Sequence, residues 1–285
     1  MESWHMAELR IVTDSAASIP PQKAREWGVE VLPLRVHLGD EVYREGMDIQ
    51  PQKFLEKLSA TDTVPTVSPP PVEEFVAAYG RLSRTTEEIL SIHVSRHICD
   101  VLPVARQASQ EFLGRCRITV MDSMVFDLGQ RLLVERAVRA ARAGLEVQEV
   151  VRVVRGLIPR LYAIFFTENL NYLERGKRLG PAQAILGTML GIKPILTLED
   201  GDILPLEKVR TRERALEKLT EFVAEFSEVE EIAILQGGSP EDAQALREML
   251  ASILPGHEIP IATYGPSLAV HLGPRAMGVV VFEGE

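Results

Sequence analysis

The chain has 285 residues and a formal net charge of −10, with 46% hydrophobic and 25% charged residues. This length is typical of two domains, and the composition is typical of globular proteins with buried cores. The negative charge argues against a generic nucleic-acid binder, and no apolar run approaches the ~18 residues of a membrane span. Two cysteines, Cys99 and Cys116, are too few for a disulfide framework or a zinc site. We therefore expect a cytoplasmic protein without a metal or a cofactor.

The first half of the sequence alternates short β-branched runs with helical patterns. Predicted strands cover 9–13, 29–38, 89–94 and 118–121, a hairpin arm covers 42–43, and predicted helices cover 20–27, 54–58, 129–144 and 146–156, with a further helix from residue 72. Strands that alternate with helices predict a mostly parallel, doubly wound α/β sheet.

The second half mixes a hairpin with helices, which predicts a smaller α/β domain with a mixed sheet. Its predicted strands cover 161–166, 232–235, 259–263 and 278–282, its helices cover 211–226 and 240–250, and its hairpin turns at 200–202. The expected domain boundary gives an N-terminal domain over 7–158 and a C-terminal domain over 159–285. We expect the ligand site between the two domains.

Two predicted strands end in polar residues. Asp14 and Ser15 follow the first strand, and Ser95 with Arg96 follows the strand over 89–94. Ligands of open α/β sheets bind outside the carboxyl ends of strands, so these residues are candidates for a ligand site. The alternatives are that Asp14 and Ser15 cap the next turn and that Arg96 lies exposed to solvent.

The proline-rich stretch 65–71 is unsuited to a helix or a central strand, so we predict an extended segment near polyproline geometry. Such a rigid loop either presents a hydroxyl to a ligand, as Ser68 would, or serves only as a stiff connector.

The stretch 170–196 joins a basic turn to an apolar helix. Gly176 lies among charged residues that include Arg178, and Gly180 with Pro181 predicts a helix start. The apolar positions that follow predict either ordinary core or the wall of an apolar ligand tunnel.

Several motifs in the chain match one family. They are Thr13–Ser15, the turn with Leu173, Gly176 and Arg178, the segment Ile192–Leu196, and the closing group of His271, Gly273, Pro274 and Ala276. On these motifs the chain resembles the DegV family of bacterial fatty-acid-binding proteins. Lys177 and Arg275 stand where the family has glycines.

The resemblance implies a two-domain α/β carrier that buries one long-chain fatty acid, such as palmitate, in an interdomain tunnel. It implies that the chain is not an enzyme, because a separate fatty-acid kinase phosphorylates the carboxylate that the carrier presents. Transient membrane contact is compatible with this role.

The resemblance also indicates ligand-binding residues. The family's carboxylate-binding threonine falls at Val67, or at Thr66 after a one-residue shift. Cys99 and Val101 replace a serine and a threonine of the family's strand-to-helix turn, so we expect Arg96 to substitute for the lost hydroxyls. The candidate residues are Asp14, Ser15, Val67, Ser68, Ser95, Arg96, Arg178 and His271.

Two other functions fit parts of the sequence. In a serine hydrolase, Ser95 would be the nucleophile and His97 or His271 the base, but the sequence has no Gly-x-Ser-x-Gly elbow, P-loop, dinucleotide fingerprint or metal-ligand pair. A degenerate family member that has lost ligand binding would have a regulatory role. The altered loops at 65–71 and 95–102 favour that alternative.

Overall fold

The computed structural model describes residues 9–168, 172 and 191–284. These residues form two compact units. The first contains the described chain up to Arg35 and Ser68–Ile158, and the second contains Val36–Val67 and the described part of Pro159–Glu285. Among the helices of the described residues, none combines the length and hydrophobicity that a membrane-spanning helix needs.

Both units combine strands with helices. The described strands are β1 (Arg10–Asp14), β2 (Val29–Leu32), β3 (Arg35–Leu38), β4 (Glu41–Arg44), β5 (Thr66–Ser68), β6 (Glu88–His93), β7 (Arg117–Asp122), β8 (Leu161–Phe166), β9 (Lys193–Glu199), β10 (Asp202–Val209), β11 (Val229–Gln236), β12 (Ile261–Thr263) and β13 (Met277–Glu283). The described helices are α1 (Pro21–Trp27), α2 (Pro51–Ser59), α3 (Val72–Leu82), α4 (Val101–Ser109), α5 (Asp127–Arg142), α6 (Val147–Leu157), α7 (Arg212–Ala224), α8 (Pro240–Ile253) and α9 (Pro266–Leu272).

The first unit is built on a parallel sheet in the order β2–β1–β6–β7. Strand β6 carries Ile89, Leu90 and Ile92, which are fully buried although successive side chains point to opposite faces of the sheet. Helix α3 packs against α4, and α5 packs against α6. These observations confirm the predicted parallel α/β sheet, because a strand buried on both faces is typical of that class.

The strand predicted over 29–38 is wrong as a single element. The structure has two strands there, β2 and β3, which lie in different sheets. Pro33 lies between them and has no N–H, so it cannot extend the β2 ladder. The N–H of Leu34 instead donates to Ser15 Oγ at 2.9 Å.

Segment 36–67 joins the second unit. Strands β3, β4 and β5 form a small sheet in the order β4–β3–β5, so the middle of the proline-rich stretch is an edge strand and not the predicted polyproline segment. Helix α2 packs against α9, and Glu45 Oε1 accepts a hydrogen bond from Ser267 N at 2.8 Å. These contacts draw the segment away from its sequence neighbours, so the first unit is interrupted where a continuous domain over 7–158 was expected.

The second unit contains a sheet in the order β10–β9–β8–β13–β11–β12. Neighbouring strands are antiparallel except β11 and β12, which confirms the predicted mixed sheet. Helices α7 and α8 pack against each other. Leu219 of α7 and Leu246 of α8 are fully buried with Ile234 and Val279 of the sheet, and these residues belong to one hydrophobic core.

Helix α9 is buried along its whole length. A helix that is buried all round shows no amphipathic period, which is why no sequence pattern predicts it. Its ends are satisfied by distant groups, because Glu45 accepts from the N–H of Ser267 and Thr167 Oγ1 donates to the carbonyl of Leu272 at 2.7 Å.

A close approach to a tyrosine ring requires glycine at position 237. Tyr264 is fully buried, and its hydroxyl donates to the carbonyl of Gly273 at 2.6 Å. A Cβ atom at Gly237 would lie 1.8 Å from that hydroxyl oxygen. Any side chain at this position must therefore displace the Tyr264 ring.

We predict that Gly237→Ala lowers the free energy of unfolding of the second unit by about 1–3 kcal/mol, because overpacking shifts Tyr264 and strains its hydrogen bond. Urea unfolding followed by circular dichroism measures the change. The control is Gly156→Ala in α6, where an added Cβ has no atom within 4 Å. The free energy of unfolding of that variant should rise by about 0.5–1 kcal/mol, because alanine has a higher helix propensity than glycine. Equal effects of the two substitutions would contradict the steric argument.

Candidate ligand site

The strand order indicates a ligand crevice at the carboxyl ends of β1 and β6. The chain runs from β1 to β2 on one side and later returns to β6 on the other side of β1. Ligands of open α/β sheets bind at such a switch point. Asp14 ends β1, and Ser95 follows the last residue of β6 by two positions. The topology thus brings these two predicted residues to the same edge of the sheet.

Asp14 is fully buried, and protein groups surround its carboxylate. Oδ1 accepts hydrogen bonds from the N–H of Ala16 at 3.1 Å and from Nε2 of Gln130 at 3.2 Å. Oδ2 accepts from the N–H of Val94 at 3.0 Å and lies 2.9 Å from Nδ1 of His93. The carboxylate therefore connects β1, β6 and α5, which makes it a link between elements.

A series of buried polar side chains continues from Asp14 into the sheet. His93 Nε2 lies 2.7 Å from Ser91 Oγ, which lies 2.8 Å from the hydroxyl of Tyr79. All of these residues are fully buried. Burial raises the pKa of Tyr79, and the hydrogen bond to Ser91 offsets only part of this shift. Sequence patterns did not predict the series, although Ser91 and His93 occur at i and i+2 among the apolar residues that follow Glu88 in β6.

The turn after β6 combines a buried serine with an exposed arginine. Ser95 Oγ accepts a hydrogen bond from the N–H of His97 at 3.2 Å, and the Ser95 carbonyl accepts from the N–H groups of Ile98 and Cys99. Arg96 is exposed, and its Nε donates to Nε2 of His97 at 3.2 Å. Within the described part of the chain, no group accepts a hydrogen bond from the backbone N–H of Arg96. The turn therefore offers an anion a backbone donor and a cation.

Three of the other predicted residues lie in the first unit or in β5. Ser15 is half-buried, and its hydroxyl accepts from the N–H of Leu34. Val67 and Ser68 are half-buried in the edge strand β5, while the alternative residue Thr66 is exposed. Ser68 groups with the first unit and Val67 with the second.

The remaining predicted residues are Arg178 and His271. Arg178 lies outside the described residues, as does most of the basic turn and apolar helix predicted within 170–196. His271 is buried in α9 of the second unit. Beyond it, Arg275 has a φ of +65°, in the left-handed region that favours glycine. This conformation explains physically why a glycine suits this position in the motif.

Lys193, from the Ile-Lys-Pro segment, belongs to an ionic cluster in the second unit. Its Nζ lies 2.5 Å from Glu168 Oε2, and Arg212 contacts both Glu168 and Asp242. The Arg212 guanidinium lies 4.9 Å from the centre of the Phe166 ring. Burial acts to raise the pKa of Glu168, but the Lys193 and Arg212 cations together outweigh burial and hold it below the ordinary value.

A serine nucleophile donates its hydroxyl proton to a base. At this turn Ser95 Oγ accepts from the backbone N–H of His97, and Nε2 of His97 accepts from Nε of Arg96. A metal site needs several ligand side chains close together. Among the described residues, there is no cluster of three or more histidine, cysteine, aspartate or glutamate side chains that could hold a metal ion.

The fold is that of a two-domain α/β protein with polar residues at a strand switch point. Residues 8–284 match the family model described as uncharacterised protein, DegV family. The chain belongs to the DegV family, as its motifs predict. A DegV domain-containing protein of Halalkalibacterium halodurans is 34% identical over 278 residues, which cover 96% of this chain and 98% of that protein.

Solved structures of DegV proteins have the same fold. DegV of Bacillus subtilis, described as a fatty acid binding protein, has 28% sequence identity and a TM-score of 0.86, over 97% of this chain and 100% of that chain. A DegV family protein of Thermus thermophilus, described for its fatty acid binding, has 32% identity and a TM-score of 0.86 over the same shares. These similarities confirm the predicted two-domain α/β class.

We predict that Glu168→Gln destabilises the second unit in a pH-dependent way. The pKa of Glu168 is lowered from 4.5 in the folded chain, so its stabilising effect is complete above 4.5 and is lost as the pH falls through the lowered value. At pH 7 the substitution should lower the free energy of unfolding by about 1–3 kcal/mol. Thermal unfolding at several pH values should show this difference narrowing below pH 4.5.

The control for this variant is Glu217→Gln, because Glu217 forms an exposed ion pair with Arg214. Exposed ion pairs contribute roughly 0–1 kcal/mol to the free energy of unfolding, so Glu217→Gln should change stability little at any pH. A destabilisation by Glu168→Gln that stayed the same down to pH 2 would show that Glu168 does not act through its charge.

Proposed function

We propose that this chain binds one long-chain fatty acid, such as palmitate, in an apolar tunnel and presents its carboxylate to a separate fatty-acid kinase. The observation that carries this proposal is the similarity, over 97% of the chain, to the fatty-acid-binding DegV proteins of Bacillus subtilis and Thermus thermophilus. In this role the chain is a carrier without a cofactor, and phosphoryl transfer belongs to the kinase. Loading and release of lipid allow transient membrane contact.

We assign the head group to the turn after β6. A carboxylate there would accept from the backbone N–H of Arg96, and the exposed guanidinium of Arg96 would add favourable charge. Ser95 contributes a hydroxyl at the same turn. Ser68, Arg178 and His271 are the further candidates for holding the head group.

The acyl chain would supply most of the affinity. Burying about 15 methylenes at ~0.8 kcal/mol each contributes at most ~12 kcal/mol, enough to offset the freedom that the ligand loses on binding. The polar contacts then set the orientation of the ligand. An orientation that leaves the carboxylate accessible is what presentation to a kinase requires.

A degenerate, regulatory family member is the second candidate function. Cys99 and Val101 are buried apolar side chains where the resemblance leads us to expect hydroxyls. Val67 likewise lacks the hydroxyl expected at its position. A head-group site with three fewer hydroxyls would bind a carboxylate weakly unless the backbone and Arg96 compensate.

We predict that the purified protein retains a long-chain fatty acid, because an apolar tunnel that binds with this free energy stays filled in a cell. Mass spectrometry of an organic extract measures the bound lipid. Recovery of no acyl chain, together with no binding of added palmitate, would overturn the carrier function and favour the regulatory one.

We predict that Ser95→Ala weakens palmitate binding by about 0.5–1.5 kcal/mol, and that Arg96→Ala costs ~0–1 kcal/mol because its charge is exposed and screened. Competition with a fluorescent fatty acid measures both, and hexadecanol tests whether the loss is specific to the carboxylate. The matched control is Arg84→Ala, since Arg84 is also exposed but follows α3.

Two outcomes would contradict this assignment. Equal losses for palmitate and hexadecanol in Ser95→Ala would show that the serine does not contact the carboxylate. Ester hydrolysis by the wild type that disappears in Ser95→Ala would instead identify a serine hydrolase.

A further inference from the structure

The series of buried groups from Tyr79 to Asp14 has a determined direction. Tyr79, Ser91, His93 and Asp14 are all fully buried and are connected by contacts of 2.8, 2.7 and 2.9 Å. In the described part of the chain, the Tyr79 hydroxyl has Ser91 Oγ as its hydrogen-bond partner. Burial raises the pKa of Tyr79, so the phenol keeps its proton. Tyr79 must therefore donate to Ser91.

The remaining protons follow from this first one. Ser91 has a single hydroxyl proton, and with one lone pair occupied by Tyr79 it donates to His93 Nε2. Nε2 then carries no proton. The ring proton is on Nδ1, which donates to Asp14 Oδ2 at 2.9 Å. The Phe75 ring lies edge-on to the imidazole, with centroids 5.4 Å apart, and helps to hold its plane.

Hydrogen bonds that ran the other way, from His93 toward Tyr79, would leave a buried donor without an acceptor. If His93 were a cation, Nε2–H would donate to Ser91. Ser91 would then either donate to Tyr79, which leaves the Tyr79 proton without an acceptor among the described residues, or accept from both neighbours, which leaves its own proton without one. Either proton would be unsatisfied at a fully buried position. The neutral imidazole satisfies every proton of the series.

We propose that His93 is a positioning residue for the head-group turn, acting as a neutral imidazole protonated on Nδ1. Its proton holds the Asp14 carboxylate, and Asp14 accepts from the N–H of Val94 and so fixes the backbone that leads into Ser95 and Arg96. The effect on ligand binding rests on the proposed function, whereas the position of the proton does not.

The position of the proton is tested by ¹H–¹⁵N spectroscopy of protein labelled in its histidines at neutral pH. The chain has 6 histidines, and the signals lost in His93→Asn identify those of His93. We expect a protonated Nδ1 and an unprotonated Nε2. A protonated Nε2, alone or together with a protonated Nδ1, would overturn the assignment.

The positioning role is tested by a pair of variants of similar chemistry. His93→Asn puts an amide N–H where Nδ1 was and keeps a donor for Asp14, whereas His93→Gln puts it where Nε2 was and loses that donor. Both variants lose the imidazole packing. We expect His93→Gln to weaken palmitate binding about tenfold relative to His93→Asn, the equivalent of one charge-assisted hydrogen bond.

The ligand pair of palmitate and hexadecanol separates positioning from general damage. His93→Gln should lower the affinity for palmitate more than for hexadecanol, because only the acid depends on the geometry of the turn. Tyr79→Phe is the control, since it cuts the far end of the series and leaves the contact with Asp14 intact. Equal palmitate affinities of His93→Asn and His93→Gln would overturn the positioning role. A wild type that binds no palmitate would refute the proposed function while the spectroscopic assignment stands.

Discussion

The buried carboxylate of Asp14 is the constraint on which the first unit and its candidate site depend. An ionised group in a protein interior is tolerated only when hydrogen-bond donors replace the water that it loses. Here the donors come from the turn after β1, from the end of β6 and from α5. Satisfying one charge therefore fixes three elements relative to one another. This coupling occurs at the switch point of the sheet, where a ligand site needs well-defined geometry.

The second unit meets a similar requirement around a buried helix. Both ends of helix α9 are buried, so the backbone N–H and C=O groups there need hydrogen-bond partners inside the protein. Glu45 supplies one partner from segment 36–67, and Thr167 supplies another from the end of β8. The grouping of segment 36–67 with the second unit follows from such contacts. The histidine of the family motif, His271, thus lies on a helix that the rest of the unit holds in place.

The departures from the family pattern that the resemblance implies change the chemistry of the turn after β6. Buried apolar side chains, Cys99 and Val101, stand where the resemblance leads us to expect hydroxyls, while Arg96 adds an exposed charge. An exposed charge is screened by salt and contributes little by itself. The backbone N–H groups of the turn are unaffected by these replacements. A site that relies on backbone donors tolerates side-chain variation as long as the strand ends below it keep their geometry.

The sequence by itself determined the α/β class, the parallel and mixed sheets, the family and the place of Ser95 and Arg96 after a strand. The class, the sheets and the strand end rest on hydrophobic periodicity, proline and glycine, and the family rests on short motifs such as Thr13–Ser15. All of these signals involve only a few neighbouring residues. The division of the chain into units and the partners of Asp14 were decided only by the tertiary structure. His93 and Asp14 are 79 positions apart, and Glu45 and Ser267 are 222 apart. A buried polar group selects its partner by distance and geometry in the folded chain, and no local pattern records which distant residue will satisfy it.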